Sequence, residues 1–304
     1  MTGPDRLEEK KRKIVLAGAT GFIGGALRER YTKKGYDVRM ISRKPEHTAW
    51  DDSEGLCAAL EGADLLVNLA GRSVNCRYNE RNKRDILQSR TETTRILGEA
   101  AAACSQPPKL WINSGTATIY RDARDRPMTE ENGEIGSGFS VDVAKAWEET
   151  FWAADTPHTR KAVLRIAIVL GPGGGVMTPY VNLVRFGLGG RQGSGDQRFS
   201  WIHLEDLCRI IEFIEERPDL SGIFNASAPE QVTNTEQMRI IREAYGRRSG
   251  LPAPVWMLEL GSAMTRTETE LVLKSRWAAP ERLLREGFVF RYATLREAMA
   301  DIAR

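Results

Sequence analysis

The chain has 304 residues, 41% of them hydrophobic and 28% charged, which suits one large α/β domain or a nucleotide-binding domain with a smaller second lobe. A formal charge of +3 is small against 44 basic and 41 acidic side chains and argues against a nucleic-acid-coating protein. No stretch approaches the roughly 18 apolar residues of a membrane span, and the charged start MTGPDRLEEKKRK lacks the apolar run of a signal peptide.

Lys13–Ala17 (KIVLA) is a short apolar run and predicts a strand. A helix follows from about Phe22 to Lys34, a second strand over Asp37–Ser42 and a third over Asp64–Ala70. Asn79–Ala103 holds no breaker except Gly98 and predicts a long helix. Lys109–Ser114 and Ala162–Leu170 are further strands, with a helix from about Val141 to Ala153 between them. Short apolar runs separated by helices signal a parallel sheet covered on both faces, so the expected fold is a Rossmann-type, doubly wound α/β sheet. From Gly171 the texture changes. Glycine-dense strings at 171–175 and 187–195 flank a helix around Thr178–Phe186, followed by a helix near Leu204–Glu216, a strand near Gly222–Ala226 and a helix near Thr235–Tyr245. The expected organisation is a nucleotide-binding domain over 11–250, with substrate-lobe insertions after 171, and a helical C-terminal segment over 251–304. The C-terminal half is read as a smaller substrate lobe interleaved with the sheet.

Cys57, Cys76, Cys104 and Cys208 show no CxxC spacing. That pattern predicts free thiols in a reducing compartment, hence a cytoplasmic protein. No His, Cys and carboxylate residues stand at metal-ligand spacing.

Gly18-Ala-Thr20-Gly21-Phe22-Ile23-Gly24 follows the first strand directly and opens a helix. In that context the first glycine permits a tight turn, the second lets backbone N–H groups approach a pyrophosphate, and the third lets the helix pack on the strand. An NAD site usually has an acid at the end of the second strand, for the ribose 2′-OH. Here the chain reads Ile41-Ser42-Arg43-Lys44, with no acid until Glu46. Arg43 can fork onto a 2′-phosphate and Ser42 can add a hydroxyl, so NADP(H) is the expected cofactor. The plain alternative is that Arg43 and Lys44 are solvated loop charges.

The third strand ends Asn68-Leu69-Ala70-Gly71, and the fourth runs into Ser114-Gly-Thr116-Ala-Thr-Ile-Tyr120. With GATGFIG these segments resemble the extended short-chain dehydrogenase/reductase superfamily, which includes UDP-galactose epimerase and sugar-nucleotide dehydratases. Arg165–Gly171, Gly187–Gly190, Ser200–Asp206 and the tail Leu271–Phe290 are similar to its atypical subgroup of epimerase family proteins, which carries a C-terminal domain of unknown function. The resemblance implies cofactor contacts from Gly18, Thr20, Gly21, Phe22, Ile23, Gly24, Leu69, Ala70 and Gly71, beside Ser42 and Arg43. It also implies a homodimer.

In that superfamily a Ser or Thr orients the substrate oxygen, a Tyr moves the proton, and a Lys four residues later binds the nicotinamide ribose and lowers the Tyr pKa. On this chain Thr116 takes the Ser/Thr place and Lys145 the Lys place, but the expected Tyr is Val141. Three readings stay open: another proton donor, chemistry without a strong general acid, or binding without catalysis. Tyr120 and Tyr78 are the substitute donors. Asp142 reads as a helix-surface ion-pair partner, His203 as structural and His158 as solvent-exposed. Arg77, Arg191, Arg198 and Arg276 are candidate anchors for an anionic substrate, against the plain alternative of surface charges. The expectation is an NADP(H)-dependent oxidoreductase or epimerase-like enzyme on a small polar substrate, sugar-nucleotide-like compounds among the candidates. The alternative is a non-catalytic NADP(H)-binding sensor or regulator.

Overall fold

The computed structural model describes residues 11–258 and 274–304. The first residues of the Leu271–Phe290 tail, 271–273, therefore lie outside the described residues, as does 1–10. The first half contains β1 (Lys13–Ala17), α1 (Phe22–Lys33), β2 (Asp37–Ile41), α2 (Ser53–Leu60), β3 (Leu65–Asn68), α3 (Glu80–Ala103), β4 (Leu110–Thr116) and α4 (Phe139–Ala153). There follow β5 (Arg160–Ile166), β6 (Ile168–Leu170), α5 (Met177–Arg185), β7 (Arg198–Phe199), β8 (Trp201–His203) and α6 (Leu204–Glu216). The last elements are β9 (Gly222–Ala226), β10 (Val232–Thr233), α7 (Asn234–Ala244), α8 (Glu281–Arg285) and α9 (Leu295–Ile302).

Successive side chains of a strand point to opposite faces, and here each set finds its own core. Ile14, Leu16, Leu65, Val67, Leu110 and Ile112 pack with Leu27 and Tyr31 of α1 and Leu207, Ile211 and Ile214 of α6. Their neighbours Val15, Leu66, Trp111 and Val163 pack on the other face with Leu60 of α2, Leu97 of α3 and Phe151 of α4. Both faces are covered, so the runs Ile14–Ala17, Leu65–Val67 and Leu110–Ile112 are apolar without alternation. All their ladders are parallel, in the order β2-β1-β3-β4-β5-β9. The connection from β1 runs to β2 on one side, and that from β3 runs to β4 on the other. This places a topological switch point, where α/β sheets bind ligands, at the C-terminal ends of β1 and β3.

The single strand expected over Ala162–Leu170 is two. Ala167 N donates to Ala226 O at 3.0 Å, whereas Ile168 N donates to Ser200 O at 3.2 Å. The run therefore leaves the large sheet at Ala167 and pairs as β6 with β8. A continuous apolar run carries no signal of where its ladder partner changes.

The second lobe has its own core, in which Leu170, Trp201, Met238 and Ile241 meet Leu295, Met299 and Ile302 of α9. Thr294 and Glu297 form a reciprocal capping box that fixes the start of α9. Leu283 of α8 and Phe288 instead join the core under the large sheet. The described pieces of the C-terminal segment are thus divided between two cores. Among the described residues, no helix is long and apolar enough to cross a membrane.

Candidate cofactor and substrate cavity

A cavity of about 540 Å³ opens at the switch point, within the range of small-molecule and cofactor sites. Its first wall is the glycine turn. Gly18 has φ +70°, and a Cβ there would lie 2.4 Å from Ala70 Cα. A Cβ on Gly24 would lie 2.3 Å from Ala19 Cα. A Cβ on Gly21 would meet nothing within 4 Å, because that space belongs to the cavity. Gly21 caps α1 without a side-chain bond, and the first turn has no acidic residue. The leading N–H groups of α1 thus open toward an anion site of partial positive charge. This is the cradle a pyrophosphate needs, so these residues fit a dinucleotide.

Phe22, Ile23, Gly24 and Leu69 line the cavity. Phe22 also explains part of the glycine string at 171–175, since a Cβ on Gly174 would sit 2.6 Å from its ring. Thr20 is exposed on the turn, Ala70 is buried behind Gly18, and Gly71 is exposed against the Arg90 guanidinium. At the end of β2, Ser42 is buried, its hydroxyl bonded with His47 Nδ1 at 2.8 Å and accepting from Lys44 N at 3.0 Å. It orders the loop that presents the exposed Arg43.

A buried polar frame supports the floor. Asn68 donates through Nδ2 to Asn113 Oδ1 at 2.7 Å and to Thr94 Oγ1 at 2.9 Å, and its Oδ1 accepts from Ala70 N at 3.0 Å. Trp147 Nε1 donates to the same Thr94 hydroxyl at 3.0 Å. The end of β3 and the indole of α4 are thereby held in register.

Thr116 lines the cavity as expected, but Lys145 does not. Lys145 is exposed, and Val141 is fully buried against Ala117 and Tyr120. The face that α4 turns to the cavity carries Phe139, Ser140, Val143, Ala144 and Trp147. One residue along a helix is a rotation of about 100°, so placing the pair at 141 and 145 aims it away from the site. The i, i+4 pairs of α4 that line the cavity are Phe139/Val143, Ser140/Ala144 and Val143/Trp147, and none is a tyrosine–lysine pair.

Tyr120 is likewise withdrawn as the acid. Its ring is buried and its hydroxyl donates to Asn225 Oδ1 at 2.8 Å while accepting from Arg165 Nη1 at 2.9 Å. Arg165 in turn forks onto Glu148 at 2.9 and 2.8 Å. This network ties α4 to β5 and β9 behind the cavity, and burial pushes the Tyr120 pKa up. Tyr78 does line the cavity, edge-on to Phe139 with ring centroids 4.9 Å apart. His203 is structural: its Nδ1 accepts from Glu205 N at 3.1 Å as the N-cap of α6, and burial lowers its pKa.

None of the four expected anion anchors lines this cavity. Arg77 is exposed, and Arg191 donates to Ser194 O at 3.1 Å inside its own glycine loop. Arg198 stacks on Trp277 at 4.2 Å, and Arg276 donates to Thr118 Oγ1 at 3.2 Å from behind. The arginine that does line it is Arg90 of α3, whose pKa burial pulls down to about 10. The signal for it is present in the chain. Ile86, Arg90, Thr94, Leu97 and Ala101 recur at helical spacing on one stripe, with an arginine among buried residues.

A doubly wound parallel sheet with an open glycine turn at its switch point, continuous with a substrate-sized cavity, defines a dinucleotide-binding protein of the Rossmann type. Among the described residues no cluster of His, Cys and carboxylates could hold a metal ion. The chain belongs to the NAD dependent epimerase/dehydratase family, whose pattern matches residues 14–227, and a domain of unknown function (DUF1731) matches 253–302. It is similar to the human epimerase family protein SDR39U1, at 33% identity over 95% of this chain and 99% of that protein. The crystal structure of human SDR39U1 (isoform 2) with NADPH superposes with a TM-score of 0.87, covering 96% of this chain and 99% of that one. A nucleoside-diphosphate sugar epimerase from Corynebacterium glutamicum is 28% identical with a TM-score of 0.78, covering 96% of this chain and 58% of that one.

Proposed function

We propose that the protein binds NADP(H) and acts as an oxidoreductase or epimerase-like enzyme on a small polar substrate. The observation carrying this is the open cradle at Gly21, continuous with a cavity walled by Thr116 and Ser140. Gly18 to Gly24 would hold the pyrophosphate, with Leu69, Ala70 and Gly71 along its other side. Arg43 and Lys44, with no carboxylate at the end of β2, would favour the 2′-phosphate. The human relative was solved with NADPH, which supports the same choice.

The bound nicotinamide would supply or take up a hydride. Thr116 would orient the reacting oxygen, and Tyr78 would serve as proton donor, since it is the phenol that lines the cavity. General acid catalysis contributes typically 10²–10⁴-fold, so the reaction stays slow if Tyr78 cannot reach. A second reading, an NADP(H)-binding regulator without turnover, is favoured by the lack of a tyrosine–lysine pair among the described α4 residues that line the cavity. Free thiols support a cytoplasmic setting, and the family resemblance supports a homodimer.

Calorimetric titration with NADPH, NADP⁺, NADH and NAD⁺ tests the cofactor. NADPH should bind at least ten-fold more tightly than NADH, about 1.4 kcal/mol; binding by none of the four refutes both readings. Consumption of NADPH with a panel of carbonyl compounds then separates enzyme from regulator.

A further inference from the structure

Among the described residues lining the cavity, Arg90 carries the one full charge. Its Nη1 donates to the carbonyls of Arg72 at 3.1 Å and Ile86 at 3.0 Å, and the guanidinium lies 5.1 Å from the centre of the Trp147 ring. Those two hydrogen bonds and the stacking fix its orientation. Among the described residues no carboxylate pairs with it and its Nε and Nη2 make no hydrogen bond. Other arginines here are treated differently. Arg165 is forked by Glu148, and Arg30 is held by Glu205 and Glu212. A charge removed from water is normally paired, and the loss of solvation is what depresses the Arg90 pKa.

We propose that Arg90 anchors a carboxylate of the substrate, whose two oxygens take the Nε–H and Nη2–H fork. The cavity lining is mainly apolar, with Val74, Ile86, Phe139, Val143 and Trp147 among it, and its other polar side chains are hydroxyls such as those of Tyr78, Thr116 and Ser140. Arg90 is the one cation among these described lining residues, and its planar fork matches the two oxygens of a carboxylate. The cofactor's phosphates have their own donors at the N-terminus of α1. This narrows the substrate to a small acid with an apolar body, an oxo acid or an unsaturated acid. It rests on the NADP(H) reading of the same cavity.

The test is calorimetric titration of the full chain, saturated with NADP⁺, with benzoate and with its uncharged near-isostere benzamide. Benzoate should bind at least ten-fold more tightly than benzamide. Arg90→Met, which keeps the stem against Trp147, should abolish that preference and leave the NADPH dissociation constant within two-fold. Arg90→Lys, with charge but no fork, should retain an intermediate preference. Equal affinity of the wild type for the two probes overturns the proposal without recourse to any variant. So does a ten-fold loss of NADPH affinity in Arg90→Met with the benzoate preference intact, which would assign Arg90 to the pyrophosphate. If the wild type takes up no NADPH, the functional reading fails separately, and the same benzoate and benzamide pair on the free protein still decides the role of Arg90.

Discussion

Replacing Glu148 by methionine should destabilise the protein far more than replacing Glu148 and Arg165 together. The two side chains are 9% and 8% exposed and share a two-bond fork. Removing one partner of a buried ion pair leaves a bare charge and costs about 3–5 kcal/mol. Here Arg165 would keep only its bond to the Tyr120 hydroxyl. At roughly 2–4 °C per kcal/mol for a large domain, the melting temperature should fall by about 6–20 °C. The double variant Glu148→Met with Arg165→Met removes charge and counter-charge together. Apolar replacement of a buried pair is often neutral or stabilising by about 1–4 kcal/mol. Tyr120 then still donates to Asn225. The double variant should therefore melt within a few degrees of wild type. Scanning calorimetry or circular dichroism melts of the three proteins at one scan rate decide the matter. A double variant that falls as far as the single one refutes the reasoning, because the loss would then be packing at the α4–β5 contact and not an abandoned charge.

Further outcomes follow from the same geometry. Val141→Tyr should overpack the core against Ala117 and cost about 1–3 kcal/mol or more, whereas Ser140→Tyr should be tolerated; equal melting temperatures for the two would contradict the orientation of α4. Gly18→Ala meets both a φ of +70° and a Cβ 2.4 Å from Ala70. It should weaken NADPH binding at least ten-fold with the far-ultraviolet spectrum retained, and unchanged affinity would show that the turn has another use. Arg43→Glu should cost at least ten-fold in NADPH affinity and leave NADH unchanged, as read by calorimetry. Burial pushes the thiols of Cys104 and Cys208 up to about 11 and about 12. At pH 8 a disulfide reagent should therefore modify Cys76 first and reach Cys208 only on unfolding, and early labelling of Cys208 would disprove its burial.

What the sequence discloses depends on how local the cause is. The Gly18–Gly24 turn is legible because strand, turn and helix are contiguous and each glycine has its own steric reason. The position of β9 is legible for the same reason, although its place at the edge of the sheet is not. Short α2 escapes the pattern despite a clear cap, Asp52 Oδ1 accepting from Gly55 N at 2.9 Å, because eight residues give little periodicity. On α4 the missing tyrosine removes the landmark that sets the register, and the nearest lysine draws the match to a face turned from the cavity. Its buried residues, Val141, Ala144, Glu148 and Phe151, carry the correct rotation. Arg90 is overlooked for the opposite reason: its helix is recognised at once, so no residue in it attracts notice. Arg191 stands out in the sequence because its glycine loop lets backbone approach a ligand, while the cavity takes its cation from the middle of a long helix.

The division of the C-terminal segment between two cores bears on how the protein can be dissected. The chain passes from one core to the other at Ala167, at the junction of β8 with α6, between Ala226 and Ala228, between Ile241 and Leu283, and again between Phe288 and Leu295. A fragment ending near residue 250 would lose Leu283 and Phe288 from beneath the sheet and Leu295, Met299 and Ile302 from the lobe. Neither remnant would be a finished folding unit, although the family patterns stop at 227 and resume at 253. The boundaries that evolution's vocabulary draws in this chain should therefore not be boundaries of cooperativity: with the C-terminus as a seam, sheet and lobe are expected to melt as one.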